Sequence, residues 1–514
     1  MKKLIFILMT IFTVFAITGC NPNGEEGEKE TRKFWAKNFK TDTYYQVNAE
    51  KFAENSRCVV WAEKGSGVDE TTANNMATAY NTVYAKMMST FGWEIDDEEL
   101  YRFGGENLKK MDTMEVAHYI ISANEGTASK LTILLLDIKD NYSSTNKGYT
   151  AGYFHSLNFM KNDPNNSKYP LLKYSNELDM IYVDINPGKP GSAESNRTLA
   201  HEMQHLMNFV SSQVIRDDIM DIWIDEGLST AAEWLYDNPE DRINWFNNNG
   251  NKSMKGKINE GNNFYVWEND LDDYATAYIF FQYLRLQSKK PNDIYFDILT
   301  SESYDYKAVI KAESINSSHK NNWEKLLGDW FAANYINAPS GLYGYMDDDK
   351  LKNVKAPMYP KSTKTVNLFP GEGIYSKISG ASTTKVPDSS GKIRYKGFNF
   401  SGDPVASGGN ASVARLTYNV EEDNTEISAS GETTGVASSV DISMSVSSSS
   451  LQIASSNFLA PYVVDSGCFL RENRKHVRSA DGIRSAVIND GENTGKSNIP
   501  KVDRAKLKRV IVDE

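Results

Sequence analysis

The period of the apolar positions changes several times along this chain. SRCVVWAEKG (56–65) has the look of a short strand. After it, Met76, Tyr80, Tyr84, Met87, Met88 and Phe91 recur at helical spacing, and the pattern stops at Gly92. That spacing predicts a helix whose apolar stripe packs into the core, with Gly92 as its terminator. LTILLLDI (131–138) and LDMIYVDI (178–185) are apolar runs of strand length, and GYTAGYFHSLNFM (148–160) between them reads as an edge strand. SNRTLAHEMQHLMNFVSSQ then predicts a helix, with Ser195 or Asn196 as its cap. IDEGLSTAAEWLYD, DDYATAYIFFQYLRLQ and NNWEKLLGDWFAANYIN predict three more. Strands first and helices afterwards predict an α+β domain over 41–345, mainly β with one helix over 41–185 and helical over 195–345. Past Pro357, apolar residues such as Val440, Ile442, Met444 and Val446 alternate with serine, threonine and glycine. This predicts an all-β, sandwich-like domain over 355–488, in which the Ser-rich stretch 438–456 is a strand with a serine-lined outer face. A polar, basic tail fills 489–514, and there is no internal repeat.

The first residues are of a different kind. Two lysines precede a run from Leu4 to Ile17 that is almost wholly apolar, followed by Thr18-Gly19-Cys20. The run is short for a membrane span and has the layout of a secretory signal over 1–19. Its ending resembles a bacterial lipobox. That resemblance implies cleavage before Cys20, lipid on its sulfur, and an envelope protein anchored to a membrane outside the cytoplasm. The charged segment over 20–40 suits a flexible tether. With Cys20 lipidated, Cys58 and Cys468 remain, either as a disulfide or, the preferred reading, as two buried thiols.

Hydrophobic content of 40% and charged content of 24% place the 514 residues among folding chains of two or three domains. A net charge of −12 argues against nucleic acid as a partner. It leaves the oligomeric state open.

The candidate chemistry is in TLAHEMQHLMNF (198–209). It sets two of the six histidines, His201 and His205, four residues apart around Glu202. On a helix these imidazoles share a face and can reach one metal ion, while Glu202 projects about 100° round the axis, within reach of a water there. This is the HExxH pattern of a zinc site with a general base. A third ligand is needed. Glu226 in WIDEGLSTAAEWLY (223–236) lies 21 residues beyond His205, enough for the chain to reverse into a second helix. It would complete a His₂Glu set that leaves zinc a fourth position for water. A three-histidine site would need Gly and His where Asn208 and Ser211 stand. Glu233 competes with Glu226. We assign Glu226 as ligand and Glu233 as the acceptor that orients a ligand histidine, with the adjacent Asp225 pointing elsewhere.

HEMQH followed by WIDEGLSTAAEW resembles the glutamate-zincins, whose third ligand lies in an NEG-type motif. In the aminopeptidase N family a second glutamate follows seven residues on, as Glu233 does here. That family also has a helix-opening tyrosine followed by Tyr-Leu, matched by Tyr274, Tyr283 and Leu284 in YATAYIFFQYL. The overall likeness is to the hyicolysin family of bacterial secreted metallopeptidases, with its LAHExQHxxNF and WLNEGLSE pattern, over about residues 130–340. The resemblance implies a thermolysin-like catalytic domain, Zn²⁺ as cofactor, a protein or peptide substrate, and recognition of the substrate main chain along an edge strand, with 151–158 the candidate. There are departures. Asp225 stands where relatives usually have asparagine. The Gly-x-Met-Glu-Asn motif that binds a free amine is absent, which favours internal cleavage over an aminopeptidase. No thermolysin-type downstream histidine is evident, since His319 in NSSHKNN reads as a surface residue. Tyr274 is therefore the candidate donor to the oxyanion. The alternatives are an aminopeptidase, or a non-catalytic surface-binding lipoprotein on the same fold. His118 and His155 read as ordinary core or surface histidines. The span 246–269 reads as a loop, with Phe264 and Trp267 able to touch the cleft.

Overall fold

The computed structural model describes residues 29–95, 111–123, 130–146, 148–216, 219–248, 258 and 271–357, and short strands between 373 and 509. The signal-like segment, Cys20, Phe264 and Trp267 lie outside the described residues.

The order is β1 (Thr31–Asn38), β2 (Thr43–Glu54), β3 (Cys58–Glu63), α1 (Glu70–Phe91), β4 (Trp93–Ile95), β5 (Met111–Asp112), α2 (Thr113–Ala123), β6 (Leu131–Leu136), β7 (Thr150–Phe154) and β8 (Met180–Asp184). Helices follow: α3 (Ala193–Phe209) with a π turn at Val210–Val214, α4 (Ile222–Asp237), α5 (Asp241–Asn247), α6 (Leu271–Gln287), α7 (Asp293–Leu299), α8 (Tyr306–Lys311) and α9 (Trp323–Ile336). A mixed sheet followed by a helical part makes this region α+β. The expected tether is shorter than 20–40, because Thr31–Asn38 is a strand with Phe34 and Ala36 buried. Those two inward positions are masked in the sequence by charged neighbours.

The main sheet runs β1-β2-β3-β6-β8-β7, and Ser466–Phe469 pairs with β7. The pairs β3/β6 and β6/β8 are parallel, and the remaining pairs are antiparallel. The central strands are buried on both faces, which is why β6 and β8 read as unbroken apolar runs. Cys58, Val60, Ile133, Leu135, Phe154, Ile181 and Val183 face the helices. Trp61, Leu134, Tyr153 and Tyr182 face the other side, where they meet Phe34 and Val47 of the β1–β2 hairpin. Each fully buried Leu or Ile contributes about 1.5–3 kcal/mol.

α1 starts where the Asp69 side chain accepts from Thr72 N–H at 2.7 Å, a standard cap. It ends at Gly92 as expected, but for a different reason. Gly92 has φ −65°, and a methyl group there would lie 2.4 Å from the Met88 carbonyl oxygen, so the glycine serves a close approach and not a left-handed turn.

Two expectations are corrected. α3 begins at Ala193 under the Ser192 side chain, which accepts from Ser195 N–H at 3.2 Å, so Ser195 and Asn196 are already helical. β7 is not an edge strand, because Ser466–Phe469 runs antiparallel along it with Gly467 opposite Tyr153. Cys58 is a buried free thiol, as the preferred reading has it. It sits on β3, four strands from Ser466–Phe469, roughly 19 Å at the usual strand spacing, too far to bridge to Cys468. Most of 358–514, on which the all-β expectation falls, lies outside the described residues. The strands described there include Ala437–Ser445, which pairs with Val413–Glu422 and Gly373–Lys377, and Leu507–Arg509, which pairs with β4. Among the described residues no helix is long and apolar enough to cross a membrane.

Two glycines bring the helices into place. A methyl on Gly152 of β7 would lie 2.5 Å from Thr198 Cγ2 and 3.4 Å from Glu202 Cγ, so the bare backbone lets α3 lie close to the sheet. A methyl on Gly227 of α4 would lie 2.1 Å from Phe281 of α6. Here too the missing side chain sets the helix separation.

Candidate metal centre

His201 and His205 stand one turn apart on α3, and α4 packs against that face and brings Glu226 to them. All three side chains are buried. His201 Nε2 and His205 Nε2 are 3.0 Å apart, and Glu226 Oε2 lies 3.3 Å from the first and 3.4 Å from the second. A tetrahedral centre with ligand distances of about 2.0–2.1 Å has ligand–ligand edges of roughly 3.3–3.4 Å. The triangle formed by these atoms fits one face of that tetrahedron. Among the described residues this is the one group of His, Cys, Asp and Glu side chains whose ligand atoms converge in this way.

The outward nitrogens are engaged. His201 Nδ1 lies 2.8 Å from Glu233 Oε1. His205 Nδ1 lies 3.0 Å from Asp225 Oδ1 and 3.1 Å from Ser229 Oγ. A carboxylate that accepts a hydrogen bond from Nδ1–H keeps the ring proton on that nitrogen and leaves the Nε2 lone pair facing the centre. Asp225 therefore does not point elsewhere, as its sequence position suggested. It sits one residue before Glu226, about 100° round α4, which carries it to the far edge of the His205 ring.

Glu202 is fully buried. Its Oε2 accepts from Phe154 N–H of β7 at 2.8 Å, and its Oε1 has no hydrogen-bond partner. Burial raises its pKa to about 7, partly opposed by His201 and His205. Glu226 Oε2 lies against the two imidazole nitrogens at 3.3 and 3.4 Å. A buried carboxylate oxygen between two inward imidazole nitrogens is what a cation site requires.

The electrostatics agree. Burial alone would lower the pKa of His201, but Glu226 and Glu233 overcome it and hold it at about 9. His205 is raised in the same way against its burial by Asp225 and Glu226. Glu226, despite burial, is held at about 2 by the two histidines, and Glu233 at about 2 by Arg242 and His201. The surplus of buried carboxylate attracts positive charge to this spot, and a dication would replace the protons.

Tyr274 opens α6 and is fully buried, its ring centroid 6.1 Å from that of His201. Tyr278, one turn on, donates to the Pro239 carbonyl at 3.2 Å. Tyr283 donates to the Leu342 carbonyl at 2.8 Å, away from the centre. The other histidines among the described residues have structural partners. His118 pairs with buried Asp179 at 2.6 Å, and His155 Nε2 meets Tyr44 Oη at 2.8 Å. His319 is not a surface residue: it is fully buried, with Nε2 2.8 Å from Asp329 of α9. Its polar neighbours in sequence concealed a turn that folds its ring inward beside Tyr283.

Arg242 of α5 escaped the sequence reading. It is buried and lies 3.1 Å from Glu233 Oε1. No motif spacing pointed to it, since it lies beyond the break at Asn238-Pro239.

No family model matches the chain. Among curated proteins it is similar to the neutral metalloprotease ShpI of Staphylococcus hyicus, with 26% identity over 389 residues, covering 70% of this chain and 83% of that protein. At that identity and coverage the two are distant homologues.

Proposed function

We propose that this chain is a zinc-dependent metallopeptidase that cleaves internal bonds of extracytoplasmic proteins or peptides. The observation that carries the proposal is the convergence of His201 Nε2, His205 Nε2 and Glu226 Oε2, all buried, into one face of a metal-sized tetrahedron. Similarity to a neutral metalloprotease supports the same reading. Zinc held by these three residues would polarise the scissile carbonyl and acidify the attacking water.

The chain's own groups do the rest. Glu202 takes a proton from the attacking water at Oε1 and passes it to the departing amine. The Phe154 N–H fixes its other oxygen, so the base cannot rotate away. Tyr274 donates a hydrogen bond to the oxyanion of the tetrahedral intermediate. Glu233 and Asp225 hold the two Nδ1 protons and keep the rings aimed inward. Export and lipid attachment at Cys20 belong to the same reading and rest on the sequence of 1–20. Internal cleavage rests on the missing free-amine motif.

Internally quenched peptides with blocked and with free N-termini, assayed with and without a chelator, test this. Both should be cleaved, and the chelator should stop cleavage until zinc is restored. Cleavage of the free peptide alone would make the chain an aminopeptidase. A zinc-loaded chain that cleaves neither would be a binding protein.

A further inference from the structure

The reaction outlined above leaves a buried cation beside the centre without a part. Arg242 is 3% exposed. One of its guanidinium nitrogens lies 3.1 Å from Glu233 Oε1 and 3.4 Å from Oε2. The same Glu233 Oε1 lies 2.8 Å from His201 Nδ1. The guanidinium carbon stands 5.3 Å from the centroid of the Tyr274 ring. A single side chain thus touches the carboxylate behind a metal-ligating imidazole and the ring of the candidate oxyanion donor.

We propose that Arg242 is a positioning residue of this centre: it holds Glu233 against His201 and braces Tyr274, tying groups on α3, α4 and α6 together from α5. The inference rests on the metallopeptidase reading and extends it to a residue that none of the motifs contains.

The physical case has three parts. A glutamate has three rotatable bonds, and one hydrogen bond to an imidazole leaves its carboxylate free to swing about that contact. A guanidinium in reach of both oxygens removes that freedom. A cation within about 6 Å of an aromatic ring is attracted to its face, more so when dry, and this fixes the ring that carries the Tyr274 hydroxyl. Arginine suits both tasks at once, since its edge donates while its plane packs, and a lysine ammonium cannot do both. The chain brings Arg242 there by a sharp reversal. Asn238 ends α4 in the left-handed conformation at φ 46°, Pro239 follows, and α5 starts at Asp241. The competing role is that of a plain counter-ion for a buried glutamate, which would matter for folding and for nothing else.

The test compares the full-length wild type with Arg242→Gln, Arg242→Lys, Glu233→Gln and the Arg242→Gln/Glu233→Gln pair. Zinc affinity by chelator competition, kcat and KM, and thermal midpoints are read for each. Arg242→Gln should weaken zinc binding by about 10–100-fold, the usual effect of losing a partner behind a ligand. It should lower kcat more than KM, and Arg242→Lys should recover part of both. In the Glu233→Gln background, Arg242→Gln should add little to the loss of zinc affinity. A lower thermal midpoint with zinc affinity and kcat unchanged would reduce Arg242 to a counter-ion. Full additivity with Glu233→Gln would overturn the route through Glu233. If Arg242→Gln does not fold, Arg242→Lys decides, and wild-type values there would overturn the proposal. A wild type that neither binds zinc nor cleaves peptides overturns the metallopeptidase reading and this inference together. An active wild type beside unchanged variants overturns this inference alone.

Discussion

Glu202 and Tyr274 differ in what they are asked to do, and their variants should differ accordingly. Glu202, whose Oε1 has no hydrogen-bond partner, is proposed as a base and not as a ligand. Glu202→Gln should keep stoichiometric zinc and lose about 10²–10⁴-fold in turnover. Loss of zinc from that variant, by elemental analysis, would show that Glu202 is a ligand instead. Tyr274 is asked to stabilise a charge that exists only along the reaction path. Tyr274→Phe should therefore lower kcat by about 10²–10³-fold and leave KM nearly unchanged. Tyr278→Phe is the control, because the Tyr278 hydroxyl is already donated to the Pro239 carbonyl. Equal activity of both variants and the wild type would remove tyrosine from the mechanism.

At the scale of elements, the site depends on how closely α4 approaches α3 and α6. Gly227 adjoins Glu226, and a methyl there would lie 2.1, 2.4 and 2.6 Å from three atoms of the fully buried Phe281 ring. Alanine gains about 1 kcal/mol of helix propensity over glycine, but overpacking a tight core costs about 1–3 kcal/mol. Phe281 is fully buried in the core, so the second effect should win. Gly227→Ala should melt earlier with zinc chelated and should also bind zinc more weakly, because the displaced helix carries Glu226. A rise in the thermal midpoint would mean that propensity outweighs the clash. The other end of α4 is held by Lys86 of α1, whose ammonium donates to the carbonyls of Leu235 and Tyr236 at 3.0 and 3.1 Å. A cation at a helix C-terminus meets the negative end of the helix dipole.

For the whole molecule, His155 links stability to pH. It is buried, Nδ1 accepts from Leu157 N–H at 3.3 Å, and Nε2 faces Tyr44 Oη. Burial, reinforced by Lys37, lowers its pKa to about 3. In the unfolded chain an ordinary histidine titrates near 6.5. Above about pH 6.5 neither state binds the proton, and the fold suffers nothing from this group. As pH falls from about 6.5 towards 3, the unfolded chain takes up a proton that the fold refuses, so stability falls by up to about 1.4 kcal/mol per pH unit. His155→Gln removes that proton. Its denaturant midpoint should change less than that of the wild type between about pH 7 and pH 4, and parallel profiles would rule the linkage out.

The sequence by itself determined what short-range periodicity encodes. His201, Glu202 and His205 share a helix, so their geometry follows from 3.6 residues per turn. The α1 stripe and the apolar runs of β6 and β8 declared themselves in the same way. Glu226 was legible because it lies near the start of a helix, 21 residues beyond His205, a distance that permits a reversal. What lies between elements was decided by tertiary structure alone. The direction of Asp225, the arrival of Arg242 behind Glu233, the inward turn of His319 and the pairing of Ser466–Phe469 with β7 each depend on how two separate segments meet. None has a local period. Each is set by the packing of buried groups and by the need of buried polar atoms for partners, and no reading of one segment at a time contains either.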